Sequence, residues 1–362
     1  MRETGQKRLG TRRLIMQRKI GILTGGGDCP GLNAAIRAVT KSAIQRGYEV
    51  VGIRNGWKGF FDNETTVLDR VNTSGIIDRG GTILGTSRVS PLRIENGPQQ
   101  VFDRFKNLGL EALVVLGGEG TLSVTSKLFR MGLPVIGMPK TIDNDVMGTD
   151  FAIGFQTAVQ TATDALDRLR STAESHHRVM LLEVMGRHTG WIATFAGMAN
   201  GADAILIPEI PMNATKLAEL CAMLVARNKR GANFSIVVVA EGTMLEGKTV
   251  EVLGPATSTN DEPARLGGVA NVLGGIIQSK TGLETRVSSL GYVQRGGIPV
   301  AYDRSLATSF GVKATEAIER KKFGVITALK GNQVTTVKLE EMEDKVKTVN
   351  LNIYKVAEIF FG

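Results

Sequence analysis

Two aspartates separated by one residue, Asp143 and Asp145, lie in the stretch MPKTIDNDVMGTD at residues 138–150. If residues 141–145 are extended, both carboxylates point the same way, because side chains alternate along a strand. At a separation of about 6–7 Å they would repel each other by roughly 2–3 kcal/mol at an effective dielectric of 20. A bound cation would explain such a pair, as would a general base held ionised by a nearby lysine or arginine. An acidic turn with Asx capping is the alternative.

Two glycine-rich loops each follow an apolar run and precede a segment with helical spacing, LTGGGDCPGLNAAIRAV at 23–39 and VVLGGEGTL at 114–122. Backbone N–H groups of such loops, together with the positive end of the following helix, bind phosphate. Gly25, Gly26 and Gly27 fit this role, although a tight structural turn explains them nearly as well. The first loop is neither a Walker A loop nor a GxGxxG fingerprint.

Glu119 lies among the glycines of the second loop. A carboxylate at that place would repel a phosphate unless a hard cation such as Mg²⁺ lies between them. The alternative is a glutamate that is stabilised by a helix N-terminus. Two glycine loops of this kind favour nucleotide binding.

Four arginines supply the positive charge that phosphate groups require. Arg178 and Arg187 flank a predicted buried strand, and Arg286 and Arg295 lie in GLETRVSSLGYVQRGG. A guanidinium forms two parallel hydrogen bonds to a phosphate, whereas burial in a dry core is costly. Surface salt bridges remain the alternative for each arginine taken singly.

The elements that position these residues are predicted by the apolar pattern. Residues 20–24 and the runs ALVVLGG, PVIGMP, VMLLEVM, AILIPE and SIVVVAEG are apolar throughout, as interior parallel strands are. Stretches of about 10 to 20 residues with helical spacing separate most of them. This alternation is typical of βαβ units in a doubly wound sheet, which binds ligands at the carboxyl ends of its strands. The 362 residues suffice for two lobes or one large α/β domain.

Composition excludes several classes of protein. The chain is 42% apolar and 22% charged, with no apolar run of about 20 residues, so we expect no membrane association. Two cysteines and three histidines without ligand spacing argue against a zinc site and fit a reducing cytoplasm. The net charge of +9 is concentrated in residues 1–19, which hold seven basic residues and one acidic residue. We therefore expect no nucleic-acid partner.

Residues 1–18 are predicted to be a basic, disordered N-terminal extension. The alternative is an upstream extension, with the true start of the protein at Met16. The segment lacks the continuous apolar core of a secretory signal.

Taken together, the chain resembles the bacterial 6-phosphofructokinases over essentially all of residues 19–362. The resemblance is carried by the motifs GGDCPGLNAAIR, GGTILGTSR, GGEGT, PKTIDND, SHHRVMLLEVMGRHTGW, AEG and ETRVSSLGYVQRGGIPVAYDR. It implies an α/β fold of two doubly wound, Rossmann-like lobes with parallel-rich sheets and an active site in the cleft between them. The implied nucleotide-binding lobe comprises 19–153 plus 295–345. The implied sugar-phosphate-binding lobe and subunit interface comprise 154–294 plus 346–362.

The resemblance also implies an activity. A kinase of this kind transfers the γ-phosphoryl group of Mg-ATP to the 1-hydroxyl of fructose 6-phosphate, in line and without a covalent enzyme intermediate. It implies Mg²⁺ as cofactor, glycolysis in the cytoplasm, and a homotetramer (a dimer of dimers) with shared active sites. Pyrophosphate as donor is the main alternative, and a catalytically silent nucleotide-binding regulatory subunit is a second.

Individual residues take roles from the matching motifs. Asp143 matches the general base, Asp145 its carboxylate partner, and Glu119 a Mg²⁺ ligand that is usually aspartate. The implied catalytic residues are Asp143, Asp145, Thr141 and Arg187. The implied ATP contacts are Gly27, Arg88, Val89, Gly118, Glu119, Gly120 and Thr121. The implied sugar and sugar-phosphate contacts are Thr141, Ile142, Asp143, Arg178, Met185, Gly186, Arg187, Glu241, Arg286, Tyr292, Val293, Gln294 and Arg295, of which Arg178 and Arg286 reach in from a neighbouring subunit.

Three positions bear on the donor and the sugar. Tyr292 replaces the histidine of many relatives, and a phenol can also donate to a phosphate. Lys140 replaces the glycine of strictly ATP-dependent bacterial enzymes and resembles the mixed-substrate group, which includes pyrophosphate users. Gly120 leaves space where pyrophosphate-using relatives carry an aspartate. We therefore expect ATP to be the preferred donor.

The effector positions of the family are only partly kept. Basic or polar residues remain at Arg37, Lys41, Arg70, Ser74 and Arg170. Gly75 and Ala232 lack the acid and the base of the family. We therefore expect weak activation by ADP and weak inhibition by phosphoenolpyruvate.

Overall fold

The computed structural model describes residues 18–250, 266–343 and 345–362. Apart from Arg18, the predicted N-terminal extension lies outside these residues, as does Met16. The described strands are β1 (Arg18–Thr24), β2 (Tyr48–Ile53), β3 (Thr65–Leu68), β4 (Leu110–Gly117), β5 (Val135–Pro139), β6 (Val179–Val184), β7 (Ala204–Leu206), β8 (Ser235–Ala240), β9 (Thr285–Ser289), β10 (Val325–Lys330) and β11 (Gln333–Lys338). The described α-helices are α1 (Leu32–Gln45), α2 (Lys58–Phe61), α3 (Gly97–Asn107), α4 (Glu119–Arg130), α5 (Phe155–His176), α6 (Trp191–Asn200), α7 (Ala214–Lys229), α8 (Val269–Thr281), α9 (Ala301–Glu319) and α10 (Leu351–Glu358).

The larger sheet has seven strands in the order β11-β10-β5-β4-β1-β2-β3. Its five inner strands run parallel, and the edge strands β3 and β11 are antiparallel to their neighbours. The strand order reverses between β1 and β4, which makes the carboxyl ends of these two strands a topological switch point. Both glycine loops leave the sheet there, at Thr24 and Gly117.

The smaller sheet has four parallel strands in the order β7-β8-β6-β9. β6 lies in the interior, so its six residues are all buried. Parallel strands of this kind are covered by helices on both faces, which explains why their sequences are apolar throughout. The carboxyl ends of β6, β8 and β9 lead to Met185, Glu241 and Leu290.

One apolar core joins the two sheets. It is continuous from Ile22 of β1 through Phe155 of α5 to Leu182 of β6. The ring of Phe155 packs at right angles to Phe195 and Trp191 of α6, at centroid distances of 5.5 and 6.5 Å. Helix α1 packs against α9 on the larger sheet. The two sheets therefore share a hydrophobic interior, and the loops at their carboxyl ends are brought face to face.

The α/β prediction is confirmed, with three differences in detail. All six apolar runs form strands, but AILIPE contributes only the short edge strand β7, because pairing stops at Leu206. The run YEVVGI forms an interior strand, β2, that the apolar pattern had not singled out. The larger sheet also takes β10 and β11 from residues 325–338. Among the described helices none is long and apolar enough to cross a bilayer.

Candidate active site

A cleft of about 360 Å³ opens beyond the carboxyl ends of the strands of the smaller sheet. The predicted site residues that line it are Arg88, Asp143, Met185, Arg187, Glu241, Tyr292 and Arg295. Arg88 and Asp143 follow elements of the larger sheet, whereas the others belong to the loops around the smaller sheet. The fold thus brings residues that are separated by up to about two hundred positions to one cavity.

The loop that carries the two aspartates is not extended. Asn144 has a φ of 51°, in the left-handed region that asparagine tolerates better than most residues. Its buried side chain holds this turn, since Nδ2 donates to the carbonyl oxygen of Asp150 at 3.2 Å and Oδ1 accepts from the N–H of Ala152 at 3.0 Å. The alternation argument for the two carboxylates is therefore wrong, although they do interact: the charge of Asp143 raises the pKa of Asp145.

Both carboxylates retain unused acceptor capacity inside the protein. Asp143 is 7% exposed, and the Oδ1 atoms of Asp143 and Asp145 are buried with no hydrogen-bond partner in the described part of the chain. Burial raises the pKa of Asp143, while Arg295 and Arg187 act in the opposite direction. Burial and the charge of Asp143 raise the pKa of Asp145 to about 7. Unsatisfied buried acceptors of this kind are suited to a transferred proton or a cation.

The carboxylates near α4 fit Mg²⁺ that arrives with phosphate groups. Glu119 begins α4, and its charge contributes to the raised pKa of Asp145, so the two carboxylates face a common region. Mg²⁺ is usually held by one or two carboxylates together with substrate phosphates. Within the described ranges there is no cluster of three or more His, Cys, Asp or Glu residues placed to hold a metal. The residues fit Mg²⁺ held jointly with a substrate rather than a resident metal.

The first glycine loop is partly a structural turn. The N–H of Gly25 donates to the carbonyl oxygen of Leu116 and that of Gly26 to Ser87, both at 2.9 Å. These two N–H groups are thus committed within the chain, and their predicted role as phosphate donors is wrong. Gly27 differs, because a Cβ there would lie 2.9 Å from Nη1 of Arg295. Glycine at this position lets the guanidinium approach the loop.

The side chain of Lys140 forms a hydrogen bond with the same loop. Its side chain is 2% exposed, and Nζ donates to the carbonyl oxygen of Gly27. Burial lowers its pKa. Beside it, Arg295 Nη1 donates to the carbonyl oxygen of Asp28 at 3.2 Å. The side chains of Lys140 and Arg295 therefore both contact the first loop, where they would neutralise negative charge on a ligand.

In the second glycine loop, a side chain could be accommodated at Gly120 but not at Gly117. A Cβ at Gly120, in the first turn of α4, would meet nothing within 4 Å. A Cβ at Gly117 would lie 2.4 Å from Cβ of Thr121. Gly117 is therefore required for packing, whereas Gly120 leaves a gap that a side chain could fill. Gly118 precedes α4 as its N-cap residue.

The turn after β6 is shaped to present Arg187. Gly186 and Arg187 have φ values of 147° and 52°, and the N–H of Arg187 donates to Oε1 of Glu241 at 3.0 Å. A Cβ at Gly242 would lie 1.8 Å from the carbonyl oxygen of Arg187, so only glycine fits there. Burial and the charge of Asp143 raise the pKa of Glu241 to about 7.

Thr189, which the sequence reasoning missed, joins this turn to the aspartate loop. Its buried hydroxyl group lies 3.1 Å from the carbonyl oxygens of both Asp143 and Gly186. Only its position within the motif GRHTGW could have indicated it. Glu183 was also missed: it lines the cleft and accepts from the N–H groups of Gly268 and Ala270, both at 2.9 Å.

Two residues among the predicted substrate contacts have side chains that are buried in the protein. Gln294 is fully buried, with Oε1 accepting from the N–H of Met185 at 3.2 Å and Nε2 donating to Gly291 at 3.1 Å. Ile142 is fully buried in the apolar core. Both side chains are therefore held inside the protein, and the substrate contact of these two residues stays a prediction. Thr141 stabilises the aspartate loop, because its hydroxyl accepts from the N–H of Asp143 at 3.1 Å.

The remaining predicted residues lie around the cleft in exposed or half-buried positions. Tyr292 and Val293, in a short 3₁₀ turn, are 59% and 64% exposed. Val89 is half-buried in the segment after β3 that also carries Arg88. Thr121 packs in the first turn of α4 against Gly25.

Arg178 and Arg286 lie away from the cleft of their own chain. Arg178 precedes β6, whereas Arg187 follows it, and six residues of strand separate their loops by about 20 Å. Both arginines pair with Oε1 of Glu284, through Nη2 at 2.9 Å from Arg178 and at 2.6 Å from Arg286. They form one basic site on the surface of the protein.

The predicted effector residues lie on separate elements. Arg37 and Lys41 are one turn apart on α1, and Ser74 and Gly75 are exposed in the turns after β3. Arg170 on α5 donates to the carbonyl oxygen of Asn200 at 2.6 Å. Their effector role stays a prediction.

A comparison with protein families identifies the chain. The model of the family described as Phosphofructokinase matches residues 19–318. The chain belongs to this family. Its activity is therefore that of a phosphofructokinase, a phosphotransferase of glycolysis that acts on fructose 6-phosphate and a phosphoryl donor.

Curated relatives differ in the donor that their names state. The pyrophosphate–fructose 6-phosphate 1-phosphotransferase of Amycolatopsis methanolica is 47% identical, covering 95% of this chain and 100% of the relative. The ATP-dependent 6-phosphofructokinase 3 of Streptomyces coelicolor is 47% identical, covering 94% and 99%. The ATP-dependent 6-phosphofructokinase 2 of Clostridium perfringens is 48% identical, covering 92% and 94%. Overall similarity therefore leaves the donor open.

Solved structures support the fold. Phosphofructokinase from Saccharomyces cerevisiae superposes with a TM-score of 0.77 at 32% identity, over 90% of this chain and 45% of the longer yeast chain. The pyrophosphate-dependent phosphofructokinase from Marinobacter aquaeolei gives a TM-score of 0.76 at 25% identity, over 92% and 86%.

Changing Asp145 to Asn tests the electrostatic cost of the aspartate pair. The native pKa of Asp145 is raised to about 7, above an unfolded value of about 3.9. Between these pH values the native state binds more protons than the unfolded state, so this group's contribution to stability falls as pH rises. The variant should exceed the wild type in free energy of unfolding by roughly 1–4 kcal/mol at pH 8, and the difference should shrink toward pH 4. Urea unfolding in EDTA measures it, and a difference that grows at low pH would refute the assignment.

Proposed function

We propose that the protein is an ATP-dependent 6-phosphofructokinase that transfers the γ-phosphoryl group of Mg-ATP to the 1-hydroxyl of fructose 6-phosphate. The observation that carries this proposal is the pair Asp143 and Asp145, whose Oδ1 atoms are buried without hydrogen-bond partners in the described part of the chain. Asp143 lines the cleft, where the charges of Arg295 and Arg187 act on it. In a silent regulatory subunit, buried carboxylate oxygens without hydrogen-bond partners would cost stability and serve no reaction.

The proposed mechanism assigns proton transfer to Asp143. This carboxylate takes the proton from the 1-hydroxyl, and Arg295, Arg187 and Lys140 favour its ionised form against the effect of burial. Bound Mg²⁺, held by Glu119 and Asp145, would neutralise charge on the transferred group. The guanidinium groups of Arg187 and Arg295 lie in the cleft to neutralise substrate phosphate charge. The transfer is in line and direct.

The preference for ATP rests on Gly120. The open space at this position leaves room beside the phosphates of a nucleotide, whereas a carboxylate there would crowd and repel the α-phosphate. Lys140 is the observation that favours pyrophosphate. However, its ammonium group donates to the carbonyl oxygen of Gly27 and supports the loop, so its presence alone does not require a pyrophosphate donor.

We further propose a homotetramer in the cytoplasm with active sites shared between subunits. Arg178 and Arg286 are far from the cleft of their own chain but form one basic site with exposed surface. A sugar 6-phosphate carries about two negative charges near neutral pH and needs several converging donors. A neighbouring subunit that presents this pair would supply them, and closed symmetric assemblies repeat such a contact at every site.

Changing Asp143 to Asn tests the general base. The substitution keeps the shape of the side chain but removes its basicity, and general-base catalysis typically contributes about 10²- to 10⁴-fold. We expect kcat to fall by at least that range, with little change in the KM for fructose 6-phosphate. Steady-state assay of ADP release measures both, with Asp62→Asn, at an exposed aspartate of the same type, as control. A decrease in kcat of less than about fivefold would exclude Asp143 as the base.

Changing Gly120 to Asp tests the donor. The wild type should phosphorylate fructose 6-phosphate with Mg-ATP and show little activity with pyrophosphate. In Gly120→Asp, kcat/KM for ATP should fall by tenfold or more, since about 1.4 kcal/mol of repulsion suffices for that factor. Gly120→Asn, with the same shape and no charge, should lose less. Faster turnover of the wild type with pyrophosphate than with ATP would refute the proposed donor.

Mixing two impaired variants tests the shared site. Asp143→Asn and Arg178→Ala chains are refolded together to form hybrid tetramers. Some hybrid interfaces then join a chain with intact Asp143 to a neighbour with intact Arg178, and these sites should regain near-native KM and kcat. Hybrids confirmed by mass spectrometry that show only the summed activity of their parents would place Arg178 outside the neighbour's site.

A further inference from the structure

The C-terminal segment, residues 345–349, crosses the base of the aspartate loop on its way to α10. Val346 pairs with Val146 in an antiparallel bridge. The next residue, Lys347, donates its backbone N–H to the carbonyl oxygen of Asp145 at 2.8 Å. The segment is therefore bonded directly to the backbone of one of the two paired aspartates.

Each polar group of Lys347 is used at this crossing. Nζ donates to the carbonyl oxygens of Thr149 and Asp150 at 2.9 and 2.8 Å, within the turn that follows Asp145. The carbonyl oxygen of Lys347 accepts from Nε1 of Trp191 at 2.8 Å, and Nζ lies 5.2 Å from the centre of the same indole ring. Lys347 thus ties the turn after Asp145 to the first residue of α6.

The far side of the segment is fixed as well. The carboxylate of Glu209 accepts from the N–H of Val349 at 2.9 Å and from the N–H of Gly190 at 3.0 Å. Gly190 and Trp191 directly follow the turn that presents Arg187. The segment therefore forms hydrogen bonds with the loop of Asp145 on one side and with residues that follow the loop of Arg187 on the other. These two loops follow strands of different sheets.

We infer that Lys347 is a positioning residue that sets the place of the Asp145 carboxylate relative to Arg187 during phosphoryl transfer. The inference rests on the proposed function, because Asp145 matters only if the cleft performs that reaction.

The side chain of Lys347 can position the loop because it donates hydrogen bonds to the carbonyl oxygens of Thr149 and Asp150. Thr149 is 2% exposed, so loss of the ammonium group would leave its carbonyl oxygen buried without that donor. The turn that begins at Asp145 would then rearrange to regain hydrogen bonds. A displacement of about 1 Å in a catalytic constellation can reduce turnover by about 10²-fold, even when the altered residue lies outside it.

Lys347→Met and Lys347→Arg test the inference. Met keeps the length and apolar body of the side chain but has no donor, whereas Arg can still donate to both carbonyl oxygens. Lys355→Met, at an exposed lysine of α10, is the matched control. All variants also carry Trp57→Phe, which leaves Trp191 as the single tryptophan, because the chain has two. Tm values are recorded, and assays are run well below the lowest of them.

For Lys347→Met we expect kcat to fall by about 10- to 100-fold while the KM for fructose 6-phosphate changes by less than about threefold. The emission maximum of Trp191 should change, because the ammonium group that lies 5.2 Å from its ring is removed. Lys347→Arg should restore kcat to within about threefold of the wild type and keep the emission unchanged.

Three results would overturn the inference: a kcat of Lys347→Met within about twofold of the Lys355→Met control, a fall in kcat with no change in Trp191 emission, or a failure of Lys347→Arg to restore activity. If the unaltered chain and the parent protein with Trp57→Phe alone are both inactive with ATP and with pyrophosphate, the proposed function itself is refuted. An active parent with an unaffected Lys347→Met refutes only the role of Lys347.

Discussion

Two carboxylates, Asp143 and Asp145, lie close together at the junction of the two sheets, and the fold has to offset the electrostatic cost of this pair. Burial opposes the charge of Asp143 and Asp145, and each makes ionisation of the other harder. The cations that offset this cost come from loops of both sheets, Lys140 from one and Arg187 from the other. The shared apolar core therefore matters for the site, because a shift of one sheet against the other would move Arg187 away from the aspartates.

Buried polar side chains form hydrogen bonds that fix the loops of the charged residues. Thr189 bonds to the aspartate loop and to the turn of Arg187, and Gln294 bonds to the backbone beside that turn. Gly242 admits the carbonyl oxygen of Arg187 where any side chain would collide with it. Such groups satisfy buried backbone atoms and at the same time fix the catalytic geometry, so their substitution would change both stability and turnover.

The sequence predicts what local patterns determine. Apolar runs predict interior strands because parallel strands are buried on both faces, and the glycine loops fall at strand ends where ligands bind. It does not predict the turn at Asn144, which depends on hydrogen bonds to Asp150 and Ala152. Nor does it predict that the N–H of Gly25 is committed to Leu116. The contact of Lys347 with Asp145 is the extreme case, since about two hundred residues separate them and Lys347 lies in none of the motifs.

Burial and the charge of Asp143 make the cleft poorly suited to further negative charge. The pKa values of Asp145 and Glu241 are both raised to about 7, by burial first and by the charge of Asp143 second. A nucleotide and a sugar phosphate would bring further negative charge into the same volume. This added negative charge would raise the pKa values of the carboxyl groups further. In the proposed reaction, Mg²⁺ that arrives with the donor would offset this charge, and Arg295, Arg187 and Lys140 would then favour the ionised form of Asp143.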